Sequence, residues 1–355
     1  MAVTMREIAK KADVSHTTAS LILGGSSASK RFSPETMKRV KEIAENLGYR
    51  PNRTANILRN QKNCLIGVLS GGYRMEYFGE ILEGASKVVQ PRFGVVPAVH
   101  HYNGENERYS LQMFLDMRLS GIIAFWSGDE KNIPLYHEII EKYEIPIVLC
   151  DTPISSLEIP CMDVNKEEIA YLAASTLLKN GHRKILGALS HRAYSGESVE
   201  SIDAIRGYKK AATEYNLTET DYIIEPLEDD NPIYSKEYAA SISAYSDKII
   251  EHLKQNNFKY TAIWAQDDLI AYELMFKLEK LGLKVPEDIS LIGMGNRESS
   301  RLSNISMSSV ASASFVDNGA ILSQTLLDMI DGKKPASLQL ERKLKVFLRN
   351  SIRKI

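Results

Sequence analysis

The sequence predicts an all-α helix-turn-helix head joined to an α/β body made of two doubly wound parallel-sheet lobes. Three observations carry this reading. The chain opens with short, capped, basic helices; it continues as an alternation of strand-length apolar runs and helix-length amphipathic stretches; and a break near residues 160–164 splits that alternation into two sets. A chain of 355 residues exceeds the usual single-domain size, so two or three folded units are expected. Its 44% hydrophobic and 25% charged residues are ordinary for a globular protein and exclude fibrous or disordered classes. No apolar run approaches the ~20 residues of a membrane helix. The opening MAVTMREIAKKADVS lacks the apolar core of a secretory signal, so a cytoplasmic protein without a membrane partner is expected.

Charge is unevenly distributed. Residues 1–62 carry twelve basic side chains against five acidic ones, a net of +7, which leaves −8 for the remainder of a chain whose total is −1. A basic head on an acidic body is the pattern of a polyanion binder, because each basic group that meets a phosphate releases a condensed counterion.

Three short helices account for the head. Thr4 and Glu7 form a capping box, followed by Met5, Ile8, Ala9 and Ala12 at helical spacing. After the interruption at Asp13-Val14, Ser15 caps a second helix with Ala19 and Ile22 facing inward. Ser33-Pro34-Glu35 starts a third, with Met37, Val40, Ile43 and Leu47 buried and Gly48 ending it. Two short helices joined by a tight turn, with a supporting third, form a unit whose second helix enters the DNA major groove. His16, Thr17, Thr18 and Ser20 offer small donors and acceptors there, and Leu21 offers apolar contact to thymine methyls. Next, 50–59 begins with a helix-compatible Pro51 but is too short to be stable alone. It either orders on DNA or packs through Ile57 and Leu58 as a linker.

The body begins after Cys64. Its apolar runs are LIGVL, GVVPAV, GIIAFW, IPIVLC, KILGAL, TAIWA and ISLIGM, each bounded by Gly, Pro or charge and each followed by helical period such as Ile139 to Tyr143 or Ile169 to Leu178. Ligands of such sheets bind beyond the carboxyl ends of the strands. That rule selects Ser70 to Tyr73, Trp126 to Ser127, Asp151, His191 to Ser198, Gln266 to Asp268 and Gly295 to Arg297, a set suited to a polyhydroxylated ligand. Asp268 also reads as a cap for the helix that follows it. Cys64, Cys150 and Cys161 lack CxxC spacing and read as buried free thiols.

VTMREIAKKADVSHTTASLIL, FSPETMKRVKEIAENLGYRPNRTANIL and LIGVLS together resemble the opening of the lactose-repressor (LacI/GalR) family of transcriptional regulators, and NGHRKILGAL and QDDLIAYELMFKLEKLGLKVPEDISLIGMGN extend the resemblance over nearly the whole chain. The resemblance implies a periplasmic-binding-protein-like body whose chain crosses between lobes three times. It implies DNA contacts by Thr4, Ser15, His16, Thr17, Thr18, Ser20 and Leu21, the last standing where many members carry an arginine. It further implies hinge contacts by Asn52, Arg53, Ala55, Asn56 and Leu58, with Leu58 as a wedge in the minor groove. From the strand-end positions, effector contacts are expected of Tyr73, Trp126, Asp151, Ser198, Asp267, Asn296 and Arg297, with Arg206 as a compensating cation. Asp151 keeps a family acid, whereas Ala204, Asp267 and Gly295 differ from the family pattern. Loss of a guanidinium and gain of a carboxylate disfavour an anionic effector.

The expected domains are 1–48 for the head, 49–62 for the hinge and 63–355 for the body, with lobe 1 over about 63–161 and 311–335 and lobe 2 over about 162–310 and 336–355. The expected partners are a palindromic operator duplex, a small-molecule effector and a second copy of the chain. A dimer is favoured over a tetramer because no leucine heptad follows the last strand. No catalytic or metal site and no cofactor is expected: there is no P-loop, HExxH or nucleophile elbow, and Gly293-Met294-Gly295 lacks the final glycine of a dinucleotide fingerprint. His182 reads as a turn residue, and His100-His101 as a surface pair. The competing reading is a sugar-binding protein with no regulatory role.

Overall fold

A computed structural model of the chain describes residues 3–23, 31–49, 64–72, 76–188, 199–217, 238–302 and 304–355. The chain divides into two compact units, Met1–Cys64 and Leu65–Ile355.

The first unit contains α1 (Met5–Lys11), α2 (His16–Leu23) and α3 (Pro34–Asn46). Each start has a local cause. Thr4 and Glu7 complete the capping box, Ser15 Oγ accepts from the Thr18 amide at 3.0 Å, and Ser33 caps α3 ahead of Pro34. The turn between α1 and α2 passes through Asp13 at φ 50°, and Gly48 at φ 66° ends α3. Ile8, Ala9, Ala12, Ala19, Ile22, Val40 and Ala44 form the core between the helices.

In the second unit, one sheet has the order β2-β1-β3-β4-β5: β1 (Leu65–Ser70), β2 (Gly94–Val99), β3 (Gly121–Phe125), β4 (Ile147–Asp151) and β5 (Cys161–Asp163), all parallel. Alternation along β3 sends Ile123 and Phe125 to one face, against α4 (Glu76–Val89) and α11 (Phe315–Ile330). Ile122 and Ala124 point to the other face, against α5 (Gly104–Asp116) and α6 (Ile133–Glu141). Helices thus cover both faces, as parallel strands require. Two glycines set the α4–α11 distance: a Cβ at Gly84 would collide with the Val316 carbonyl, and one at Gly319 with that of Ile81.

The second sheet has the order β10-β9-β8-β7-β6, formed by β6 (Ile185–Ala188), β7 (Ala262–Ala265), β8 (Ser290–Met294), β9 (Ser308–Ser312) and β10 (Leu344–Phe347). One face packs on α9 (Tyr238–Gln255) and α10 (Asp268–Lys280) through Tyr245, Ile249, Leu274 and Leu278. The other packs on α7 (Lys166–Lys179) and α8 (Val199–Glu214) through Ala173, Leu177, Tyr208 and Ala211. This sheet is not wholly parallel, because β10 runs antiparallel to β9 at the edge.

The chain crosses between the sheets after β5, between β9 and α11, and between Leu340 and β10. The crossings differ by a few residues from the expected lobe limits. Cys161–Asp163 closes the edge of the first sheet, Ala311 and Ser312 belong to the second, and Cys161 pairs with Gln339, so the first lobe keeps the chain past residue 335. The expected surface pair at His100-His101 is corrected in part: His100 is fully buried. Its Nδ1 accepts from the Tyr102 amide at 2.9 Å, which leaves Nε2 to donate to Phe125 O at 2.8 Å. His182 does serve its turn, bonded to Thr261 Oγ1 and Arg353 O. Cys150 and Cys161 are free and buried as expected, but Cys64 is exposed.

Candidate functional site

In the head, α2 presents His16 and Thr17 to solvent beside the exposed Ser15, with Thr18 and Leu21 half-buried. Ser20 departs from its expected outward position: it lies one residue from Ala19 on the inward side and is 7% exposed. Thr4 is exposed, and its hydroxyl and amide are both engaged with Glu7. The expected hinge residues Asn52, Arg53, Ala55, Asn56 and Leu58 lie outside the described residues, as do Tyr73 and Ser198.

At the carboxyl ends of the first sheet, Asp151 ends β4 with φ 76°, and its carboxylate is already committed. Arg342 Nη2 donates to Oδ1 at 2.6 Å, and the Tyr77 hydroxyl donates to Oδ2 at 3.0 Å. Burial works against the Arg342 charge, yet Asp151 beside it holds the guanidinium more firmly protonated than usual. Trp126, just past β3, is half-buried, and its indole N–H has no hydrogen-bond partner among the described residues. The next residue, Ser127, is pinned by the buried Glu107, which accepts from the Ser127 amide (3.0 Å), Asn132 Nδ2 (2.7 Å) and the Tyr136 hydroxyl (2.8 Å). Burial first, and then Glu107, push the Tyr136 phenol well above its ordinary range.

At the carboxyl ends of the second sheet, the capping role expected of Asp268 falls to its neighbour. Asp267, not Asp268, caps α10, accepting from the Leu269 amide at 2.8 Å. Its other oxygen meets Arg297 Nη2 at 3.1 Å, an ion pair with side chains only 7% and 9% exposed. Asp268 is fully buried and accepts from Ser309 Oγ (2.7 Å), Ser300 Oγ (2.9 Å) and the Arg297 amide (2.9 Å). Burial pushes its carboxyl up to about 6 against the pull of those donors. Asn296 follows β8, with its Oδ1 bonded by Arg349 and its amide donating to Ser309 Oγ. Arg206 is not part of this group: it is exposed, bonded to Asp203 on its own helix and 3.9 Å from Glu167. The Arg342, Tyr77 and Glu107 contributions were missed by sequence reasoning; the positional rule selects strand ends and cannot reveal partners that are distant in sequence.

Among the described residues no group of three or more His, Cys, Asp or Glu side chains could hold a metal ion, and no helix is long and apolar enough to cross a membrane.

A capped three-helix head and a body of two parallel-sheet lobes with polar groups at the strand ends define a DNA-binding regulator of transcription. Residues 4–52 match the family model described as bacterial regulatory proteins, lacI family, and residues 174–352 match the periplasmic binding protein-like domain. The chain belongs to the LacI family. Catabolite control protein A of Priestia megaterium is 29% identical over 92% of each chain, and the HTH-type transcriptional repressor PurR of Aliivibrio salmonicida (strain LFI1238) is 30% identical over 83% of each. The fold is shared with the lac repressor dimer bound to operator and the anti-inducer ONPF, at a TM-score of 0.80 and 22% identity over 99% of this chain and 100% of that one.

Proposed function

We propose that the protein is a cytoplasmic, non-catalytic repressor that binds a palindromic operator as a homodimer and releases or tightens its grip when a small neutral polar molecule occupies the cleft between its lobes. The observation that carries the ligand reading is the pairing of charges at the strand ends. The carboxylate of Asp151 is balanced by Arg342 and that of Asp267 by Arg297. Such pairs offer donors and acceptors side by side without net charge, which suits hydroxyl-rich ligands and gives a phosphate no unbalanced cation. Trp126 adds an aromatic face and an indole donor.

The dimer follows from DNA geometry. One recognition helix reads too few base pairs for a specific site, and two heads match half-sites one helical turn apart. The solved lac repressor, which shares the fold, carries its operator as a dimer. A ligand changes DNA affinity only as far as its affinities for the two lobe arrangements differ. Thermal shift of the full-length protein against neutral sugars, nucleosides, amino acids and sugar phosphates tests the reading. Stabilisation by a neutral compound, lost in Arg297→Met, is expected. A response confined to phosphorylated compounds would contradict it.

A further inference from the structure

The loop 295–301 carries two sets of contacts. On one side it presents Asn296 and Arg297 at the strand ends. On the other, the Glu298 amide donates to Glu76 Oε2 at 2.8 Å, a bond between the second lobe and helix α4 of the first. Beneath the loop, between these two sets, lies one buried side chain. Asp268, at the first turn of α10, receives the Arg297 amide and the Ser300 hydroxyl from the loop and the Ser309 hydroxyl from β9. The fit leaves no spare room, since a Cβ at Gly293 would collide with Asp268 Oδ1.

We propose that Asp268 is a proton-sensitive latch: its buried carboxyl holds the loop 295–301 against α10 and β9, and uptake of a proton tightens that hold. The direction follows from linkage. With the loop closed, burial raises the affinity of Asp268 for a proton, to a pKa of about 6; with the loop lifted, water reaches the carboxyl and restores the ordinary value near 3.8. The arrangement that binds the proton more tightly is the closed one, so acidification favours closure and neutral pH loosens it. The charged and titratable groups facing it are Asp267 and Tyr272 on the same helix, Arg297 on the loop, and Arg349 from the C-terminal segment, which itself faces Glu298 and Arg301. Asp267 adds to the upward push, while the three hydrogen-bond donors oppose it.

That the loop faces an effector rests on the reading above, but the latch does not. The test therefore uses neither effector nor DNA, and its failure leaves that reading intact. Hydrogen exchange of the peptide 295–301 is followed in the full-length protein between pH 5 and 7.5, corrected for the intrinsic pH dependence of exchange. Protection should rise about tenfold from pH 7.5 to pH 5, the ratio set by closed and open values near 6 and 3.8. Asp268→Asn resembles the protonated acid, with an amide toward Ser309 and an oxygen toward the loop, so it should be protected at every pH without a slope. Ser309→Ala removes a donor that favours the carboxylate and should move the midpoint to higher pH. A flat wild-type profile, or a wild-type slope retained in Asp268→Asn, would overturn the proposal. If Asp268→Asn does not fold, an unmoved midpoint in Ser309→Ala overturns it instead.

Discussion

The guanidinium of Arg342 lies 2.6 Å from the carboxylate of Asp151, although 191 residues separate them in the chain. Arg342 comes from the last crossing between the lobes and Asp151 from the end of β4, so the pair ties that crossing to the first sheet. It also takes up the acid that sequence resemblance assigns to the effector.

Removing one partner strands the other. The two side chains are only 7% and 17% exposed, so Arg342→Met leaves a poorly hydrated carboxylate with the Tyr77 hydroxyl as its main remaining donor. A loss of about 3 kcal/mol in urea denaturation is expected, with much of it restored in Arg342→Met/Asp151→Asn. Additive losses in the double variant would show that the pair is not coupled.

Glu107 is buried beneath the residue next to Trp126 and collects donors from Ser127, Asn132 and Tyr136. Glu107→Ala leaves them without their acceptor and should cost about 3 kcal/mol or more. In a Trp264→Phe background Trp126 is the sole indole, and its emission should shift to the red as the Ser127 loop loosens. Unchanged emission and stability would contradict this role.

His100 predicts a pH dependence of global stability. Burial lowers its pKa below the ordinary 6.5, so the folded state holds a neutral ring while the unfolded chain takes up a proton. Its contribution is present above about pH 6.5 and is lost as the pH falls toward the folded value. Denaturation midpoints should decline between pH 7 and pH 5.5, and more shallowly in His100→Asn. An identical decline in that variant would place the proton uptake elsewhere, with His182, also lowered by burial, the next group to test.

Ser15 supplies the cap that sets the start of α2. Ser15→Ala should cost about 1 kcal/mol of local stability, seen as faster hydrogen exchange across 16–19 and weaker operator binding in proportion. Weaker binding with unchanged exchange would instead make the hydroxyl a direct DNA contact.

The continuous apolar runs made β1 to β4 and β6 to β8 legible, because strands buried on both faces need no polar alternation; β2, at the sheet edge and only half-buried, shares the apolar run without that burial. The same reasoning overlooked β5 and β9. Only Cys161, Met162 and Asp163 form β5, too few to show a period. Hydroxyls fill β9, where Ser308 and Ser309 are fully buried and bonded to Arg349 and Asp268, contacts that only the tertiary fold creates. The site was legible as positions at strand ends but not as a network. Asp267 and Asp268 are adjacent and chemically alike, and only the approach of Arg297, Ser300 and Ser309 assigns one to the cap and the other to the buried centre. Ser20 was placed outward with its hydroxylated neighbours, whereas the packing of α2 against α1 and α3 turns it inward beside Ala19.

Selection from a random duplex library separates a head that selects DNA from a body that does not. The full-length protein is compared with a chain lacking residues 1–62, the basic segment of net charge +7. The full-length protein should enrich a palindromic site, with affinity falling steeply as salt rises, and the truncated chain should enrich none. Enrichment by the truncated chain, or none by the full-length protein at low salt, would contradict that division between head and body.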